Sequence, residues 1–124
     1  MSIVLVTHDM GVVAELADRV QIMYAGRVVE EGTARDVFEL FDRPLHPYTR
    51  GLMASTPHRR PVGNRRLAEI PGMVPSLREP IPGCPFAPRC PLSTERCRVE
   101  MPPFEPQAPG QSVACWHVDM VMAA

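Results

Sequence analysis

Four cysteines, Cys84, Cys90, Cys97 and Cys115, fall in one Pro-rich stretch with the spacing C-x5-C-x6-C-x17-C. Thiolates are soft ligands, and four of them from one short segment have the chemistry to close around a metal ion or an iron–sulfur cluster. An even count also allows disulfides. Those need an oxidising compartment, and no basic region followed by an apolar stretch opens the chain as an export signal. Structural zinc favours tight C-x2–4-C pairs, which these are not. A [4Fe–4S] cluster takes four Cys on loops of variable length. Spacing alone leaves the three readings open. Two neighbours compete for roles at such a site: His117 as a further ligand or a solvated tail residue, and Trp116 as a cover or an ordinary apolar contact.

A second constellation, Thr7-His8-Asp9, comes directly after the apolar run Ile3-Val4-Leu5-Val6. In open α/β sheets ligands bind beyond the carboxyl ends of the strands, so these are the best-placed polar residues of the N-terminal half. A His there can donate a hydrogen bond to a phosphate oxygen during phosphoryl transfer. The plainer account has Thr7 or Asp9 capping the next helix and His8 in a loop, and spacing alone favours it. His46-Pro47-Tyr48-Thr49 is read as a helix start, with Pro47 at the first position, His46 and Tyr48 packing or capping around it, and no chemistry assigned. Arg59-Arg60 and Arg65-Arg66 form a small basic patch, read as solvated and turn-rich.

The elements that would position these residues fall into two regimes. None of the 15 prolines precedes Pro44, and 13 of them lie between Pro57 and Pro109. Before that step the pattern is regular. Ile3–Val6 reads as a strand buried on both faces, and Met10, Val13, Leu16 and Ala17 recur at helical spacing. Val20–Tyr24 and Arg27–Gly32, joined by Ala25-Gly26, read as a β-hairpin. Thr33 is a candidate N-cap with Asp36 three residues on, and Val37, Leu40 and Phe41 make the apolar stripe of a helix that must stop before Pro44. A short helix from Pro47 runs through Leu52 and Met53. The expected fold is therefore α/β, a strand–helix–hairpin–helix unit at 1–56 and then a Pro-rich, mostly irregular four-Cys extension at 57–124. A strand apolar on both faces needs covered neighbours, so the first unit reads as the end of a larger sheet domain. Between residues 57 and 115 there is too little apolar periodicity for a separate core, which makes a metal or covalent staple the expected support.

Composition excludes several classes. The chain has 124 residues, a net charge of −1 and a pI near 6.4, without the clustered excess of positive charge a nucleic-acid binder needs. Its apolar runs fall far short of the roughly 20 residues that span a bilayer. All 13 basic residues are Arg, so no Lys is available for a phosphate loop of the form GxxxxGK[ST].

Residues 3–9 together with Ala17-Asp18-Arg19-Val20 and Met23–Gly32 resemble the last part of an ABC transporter ATP-binding subunit, over residues 1 to about 33. His46–Thr49, Gly51-Leu52, Ser55-Thr56-Pro57, Pro71–Leu77, Gly83–Pro91, Cys97 and Ala114-Cys115 resemble the C-terminal extension of the ATPase core in oligopeptide and dipeptide importers, parts of which nickel importers share. The resemblance implies that the fold is a C-terminal remnant of a P-loop ATPase domain and that His8 is the switch histidine, contacting the terminal phosphate of ATP with Mg²⁺ bound elsewhere in the parent subunit. It implies that Cys84, Cys90, Cys97 and Cys115 hold a structural [4Fe–4S] cluster, with a cluster-free form ranked second and zinc third. The implied partners are a second ATP-binding subunit and transmembrane permease subunits, on the cytoplasmic face of a bacterial or archaeal plasma membrane. No nucleic acid and no direct contact with the transported peptide are implied. The phosphate loop, the signature and the Mg²⁺-holding acidic strand end are missing from these residues, so the chain is expected to be a fragment of an ATPase subunit that is inactive alone. The rival reading is a stand-alone iron–sulfur or metal-binding interaction module.

Overall fold

A computed structural model of the chain describes residues 1–38, 46–55 and 70–123. The expectations placed on Leu40, Phe41, Pro44, Thr56, Pro57 and the Arg59-Arg60 and Arg65-Arg66 patch lie outside them. The expected hairpin forms: β1 (Arg19–Tyr24) pairs antiparallel with β2 (Arg27–Thr33). Val20, Ile22 and Tyr24 alternate inward, as the period of a half-buried strand demands. The link is a two-residue turn in which Ala25 and Gly26 both have positive φ, 50° and 79°. That combination matches the right-handed twist of the strands, and Gly26 adopts it without steric cost.

The register shifts by one residue between Ile22 and Met23, which face Glu30 and Val28, so Val29 is the extra residue of a β-bulge. The bulge has two consequences. Val29 and Glu30 are both buried although adjacent, against simple alternation. The bulge also frees the Val29 carbonyl, which accepts the Ala114 N–H at 2.9 Å. The C-terminal part of the chain adds two strands, β3 (Glu105–Ala108) and β4 (Gln111–Val113), giving one antiparallel sheet of order β1-β2-β4-β3. The sequence predicts mostly irregular chain there. Strands of four residues and fewer carry too little periodicity to be seen in the sequence, and β4 is recruited by the bulged β2.

Short helices close the faces. α1 (Met10–Leu16) is capped by Asp9, whose carboxylate accepts the Gly11 and Val12 N–H groups at 3.0 and 3.2 Å. α2 (Ala34–Phe38) starts where the Thr33 hydroxyl accepts the Asp36 N–H at 3.0 Å, the expected cap. α3 (Pro47–Ala54) starts at Pro47 with the His46 ring as its cap, Nδ1 accepting the Tyr48 N–H at 3.0 Å. α4 (Glu95–Val99) lies in the cysteine-bearing segment, and the apolar tail docks as α5 (Val118–Ala123), with Val118 and Val121 buried. The core joins Val20, Ile22, Tyr24, Val29, Val37, Phe38 and Met53 to Phe86 and Val121 from the C-terminal part.

Ile3–Val6 is not a strand. The segment pairs with nothing described, and Val4 and Val6 are 91% and 93% exposed. A continuous apolar run records a need for burial on two faces, and among the described residues no strand lies beside it to supply either.

Candidate metal centre

Phe86 fixes the first cysteine loop. Its ring stands 5.2 Å from Tyr24, edge to face, 5.5 Å from Tyr48 and 5.8 Å from His46, and Tyr24 lies 4.7 Å from Tyr48. Aromatic pairs at these separations contribute roughly 0.5–1.5 kcal/mol each beyond area burial. Arg89 straps the same loop to the hairpin and to the chain before it, donating to the Tyr24 hydroxyl at 3.2 Å, the Pro71 carbonyl at 2.9 Å and the Ile70 carbonyl at 3.3 Å. The C-x5-C loop is thus held on the hairpin and α3 by packing rather than by a core of its own.

Gly83 then lets two cysteines approach. A Cβ there would collide with the backbone of Cys97 and Arg98, and without one the Cys84 N–H reaches the Cys97 carbonyl at 2.7 Å. A 3-10 turn at Ala87–Arg89 carries the chain to Cys90, and β4 delivers Cys115 two residues after Val113. All four cysteines line one cavity of about 20 Å³ together with His46, Phe86, Ala87, Leu92, Trp116 and His117. The sulfurs are free thiols, with no disulfide among them. Burial pushes the Cys84 and Cys90 thiols up and the Cys115 thiol to about 11, and the neighbouring cysteines add to each rise. Backbone N–H groups oppose it. The N–H of Leu92 donates to Cys90 Sγ at 3.4 Å, that of His117 to Cys115 Sγ at 3.3 Å, and those of Phe86 and Ala87 favour the Cys84 thiolate.

This donor set matches a thiolate-bound group in its atom types and not in its geometry. Four sulfurs share one apolar cavity, and hydrogen-bond donors that favour the charged form are already aimed at them. The cavity is about the size that holds one water. Among the described residues no group of three or more His, Cys, Asp or Glu side chains stands at the geometry of a bound metal ion. The sulfurs converge without closing.

A buried polar junction lies behind the cavity. Glu30, made inward-facing by the bulge, is fully buried. Its carboxylate accepts the His46 N–H at 2.9 Å through Oε1 and the Gln111 side-chain amide at 3.0 Å through Oε2. Burial outweighs these donors and raises its pKa to about 7. Burial lowers His46 to about 4, opposed by a hydrogen bond with the Ala114 backbone. Glu30 thus joins β2, the start of α3 and β4, and His46 is both a cap and a cavity wall. Sequence reasoning read the cap and missed the carboxylate. The signal available was the interrupted alternation of Val28-Val29-Glu30-Glu31. It also missed Thr94, three residues before Cys97 as the hydroxyl of a T-x-x-C spacing, which lies 3.4 Å from Cys97 Sγ.

His8, the candidate phosphate-contacting residue, is exposed between Thr7, whose hydroxyl accepts the Asp9 N–H at 3.1 Å, and the α1 cap. The structure does not bring it to the cysteines. No described helix is long and apolar enough to cross a membrane.

The family profile described as "Oligopeptide/dipeptide transporter, C-terminal region" matches residues 29–97. Among curated relatives, the "Probable peptide ABC transporter ATP-binding protein y4tR" of Sinorhizobium fredii is 52% identical over 121 residues, 98% of this chain and 35% of its own length. The dipeptide transport ATP-binding protein DppF of Haemophilus influenzae is 40% identical over 96% of this chain and 36% of its own. The oligopeptide transport ATP-binding protein OppD of Salmonella typhimurium is 46% identical over 93% and 33%. The chain spans about a third of the length of these relatives. The profile runs from the bulged strand to the third cysteine, more than half of the chain: the chain belongs to the oligopeptide/dipeptide transporter C-terminal region family.

Proposed function

We propose that these residues belong to the energy-coupling, ATP-hydrolysing subunit of a peptide ABC importer, with His8 contacting the terminal phosphate of ATP and residues 57–124 as the four-Cys extension. The observation that carries this is the family match over residues 29–97, joined by relatives named as peptide, dipeptide and oligopeptide ATP-binding proteins. In this reading the subunit works with a second ATP-binding subunit and transmembrane permease subunits on the cytoplasmic side of the membrane. The 124 residues alone, with no phosphate-loop Lys, turn over no ATP.

The chemistry assigned to each residue is limited. His8, at the exposed end of an apolar segment, presents an imidazole to a phosphate oxygen and stabilises charge there without coordinating metal. Asp9 caps α1 and sets the direction in which the chain leaves His8. Cys84, Cys90, Cys97 and Cys115 would hold a [4Fe–4S] cluster, which when bound supplies a covalent staple for a segment that lacks its own core. Zinc is the weaker candidate on spacing. The convergence of four thiols on one cavity supports the cluster, and Phe86, Arg89 and Gly83 are the residues that hold the loops in place for it.

The test is ATP-driven uptake of a labelled peptide by the assembled importer whose ATP-binding subunit contains this sequence. His8→Ala should abolish uptake and ATP turnover while leaving assembly intact. Uptake at the unsubstituted rate would overturn the role of His8, and no peptide-stimulated ATP turnover by the assembled importer would overturn the reading as a whole.

A further inference from the structure

Of the four cysteines, Cys84 alone lines a second and wider cavity of about 420 Å³, together with Arg27, Val28, Pro85, Pro102 and Phe104. The inner cavity that all four share has room for about one water. A small solute in the outer cavity therefore meets Cys84 first, while Cys97 is buried. The two residues are in direct main-chain contact. The Cys84 N–H donates to the Cys97 carbonyl at 2.7 Å, an approach that Gly83 permits because it carries no Cβ. With ordinary bond lengths that contact keeps the two Cα atoms within about 6.6 Å, inside the roughly 4.4–6.8 Å span of disulfide-bonded cysteines. Both residues line the inner cavity, and a charge on Cys97 is felt at the Cys84 thiol.

We propose that Cys84 and Cys97 are a thiol–disulfide pair, with Cys84 the site at which a small peroxide reacts and Cys97 the thiol that resolves it. The inference goes beyond the reading above, because it concerns the free thiols of the chain with no group bound. The Cys84 sulfur attacks one peroxide oxygen and the O–O bond breaks. The thiol proton leaves with the departing hydroxide as water, and Cys84 becomes a sulfenic acid. The Cys97 sulfur then attacks the Cys84 sulfur. The S–S bond forms as the S–O bond breaks, and the Cys97 proton leaves with that hydroxide as a second water, so one peroxide oxidises two thiols. The Phe86 and Ala87 N–H groups favour the attacking thiolate while burial opposes it more strongly, so the reaction is slow and its signature is the partner chosen rather than the rate. Once formed, the bond ties the Gly83 segment to α4 and takes two of the four thiols out of any shared site.

The experiment treats the 124-residue chain, stripped of metal by anaerobic chelation and shown to be metal-free, with hydrogen peroxide, blocks the remaining thiols with N-ethylmaleimide and digests without reduction. Trypsin places each cysteine in its own peptide, 79–89, 90–96, 97–98 and 99–124. Free thiols should fall from four to two per chain, with 79–89 recovered joined to 97–98. An unfolded chain favours the shorter loops, Cys84 to Cys90 and Cys90 to Cys97, so the expected pairing reports the fold. Cys97→Ser should leave a Cys84 sulfenic acid that dimedone traps, and Cys90→Ser should leave the bond between Cys84 and Cys97 in place. Four blocked thiols after peroxide treatment, or 79–89 joined to 90–96 or 99–124, overturns the proposal. Iron measured before chelation reports separately on the cluster reading, and neither of its outcomes changes the pairing expected here.

Discussion

Glu30→Gln should change how the stability of the chain depends on pH, in a direction fixed by the buried junction. The folded carboxyl has its pKa raised by burial from 4.5 to about 7. Between these values the folded state binds more protons than the unfolded state, so stability falls as pH rises through that window. The shift of about 2.5 units corresponds to about 3.4 kcal/mol when complete, and to about 2.5 kcal/mol between pH 5 and pH 8. His46 works the other way, its pKa lowered by burial from 6.5 to about 4, so its contribution is present above pH 6.5 and lost as pH falls toward 4. That contribution is common to both proteins and cancels in their difference. Urea unfolding monitored by circular dichroism at pH 5, 6, 7 and 8 reads the difference directly. The amide oxygen introduced by Glu30→Gln still accepts the His46 N–H, and the variant should gain on the unsubstituted chain by about 2.5 kcal/mol from pH 5 to pH 8. Parallel pH profiles would refute the reasoning, because they would mean that Glu30 titrates alike in the folded and unfolded states.

Two further substitutions probe how the cysteine loops are held. Gly83→Ala drives a methyl group into the backbone of Cys97 and Arg98. It should cost about 1–3 kcal/mol in thermal or urea unfolding and lower iron uptake, and unchanged stability and iron content would show that the close approach is dispensable. Arg89→Met keeps the aliphatic stem but removes donors to Tyr24, Ile70 and Pro71. It should cost about 1–3 kcal/mol and speed proteolysis near residues 70–77, with an unaltered digestion pattern as the opposing result.

The hairpin was legible because inward alternation at Val20, Ile22 and Tyr24 and the pair Ala25-Gly26 are local signals that agree with each other. The caps at Thr33 and His46 were legible for the same reason, each needing only a few neighbouring residues. Ile3–Val6 misled because apolarity states what a segment requires and not what stands beside it. The bulge at Val29 escaped because it is set by pairing, and with it went the burial of Glu30 and its partner Gln111, 81 residues away in sequence. The cysteines announced a site by type, yet their convergence depends on Phe86, Arg89 and Gly83 acting across elements. Thr94 was invisible as a sulfur partner because the segment reads as irregular chain, and the helix that sets Thr94 beside Cys97 is only five residues long.

The most direct measurement is the iron, acid-labile sulfide and zinc content of the 124-residue chain purified without oxygen, with its visible spectrum. Four thiols around one cavity, read as a cluster site, predict about four iron and four sulfide per chain. They also predict a broad sulfur-to-iron absorption that disappears in Cys97→Ser and Cys115→Ser. One zinc per chain without iron, or a colourless chain with neither metal, would contradict it.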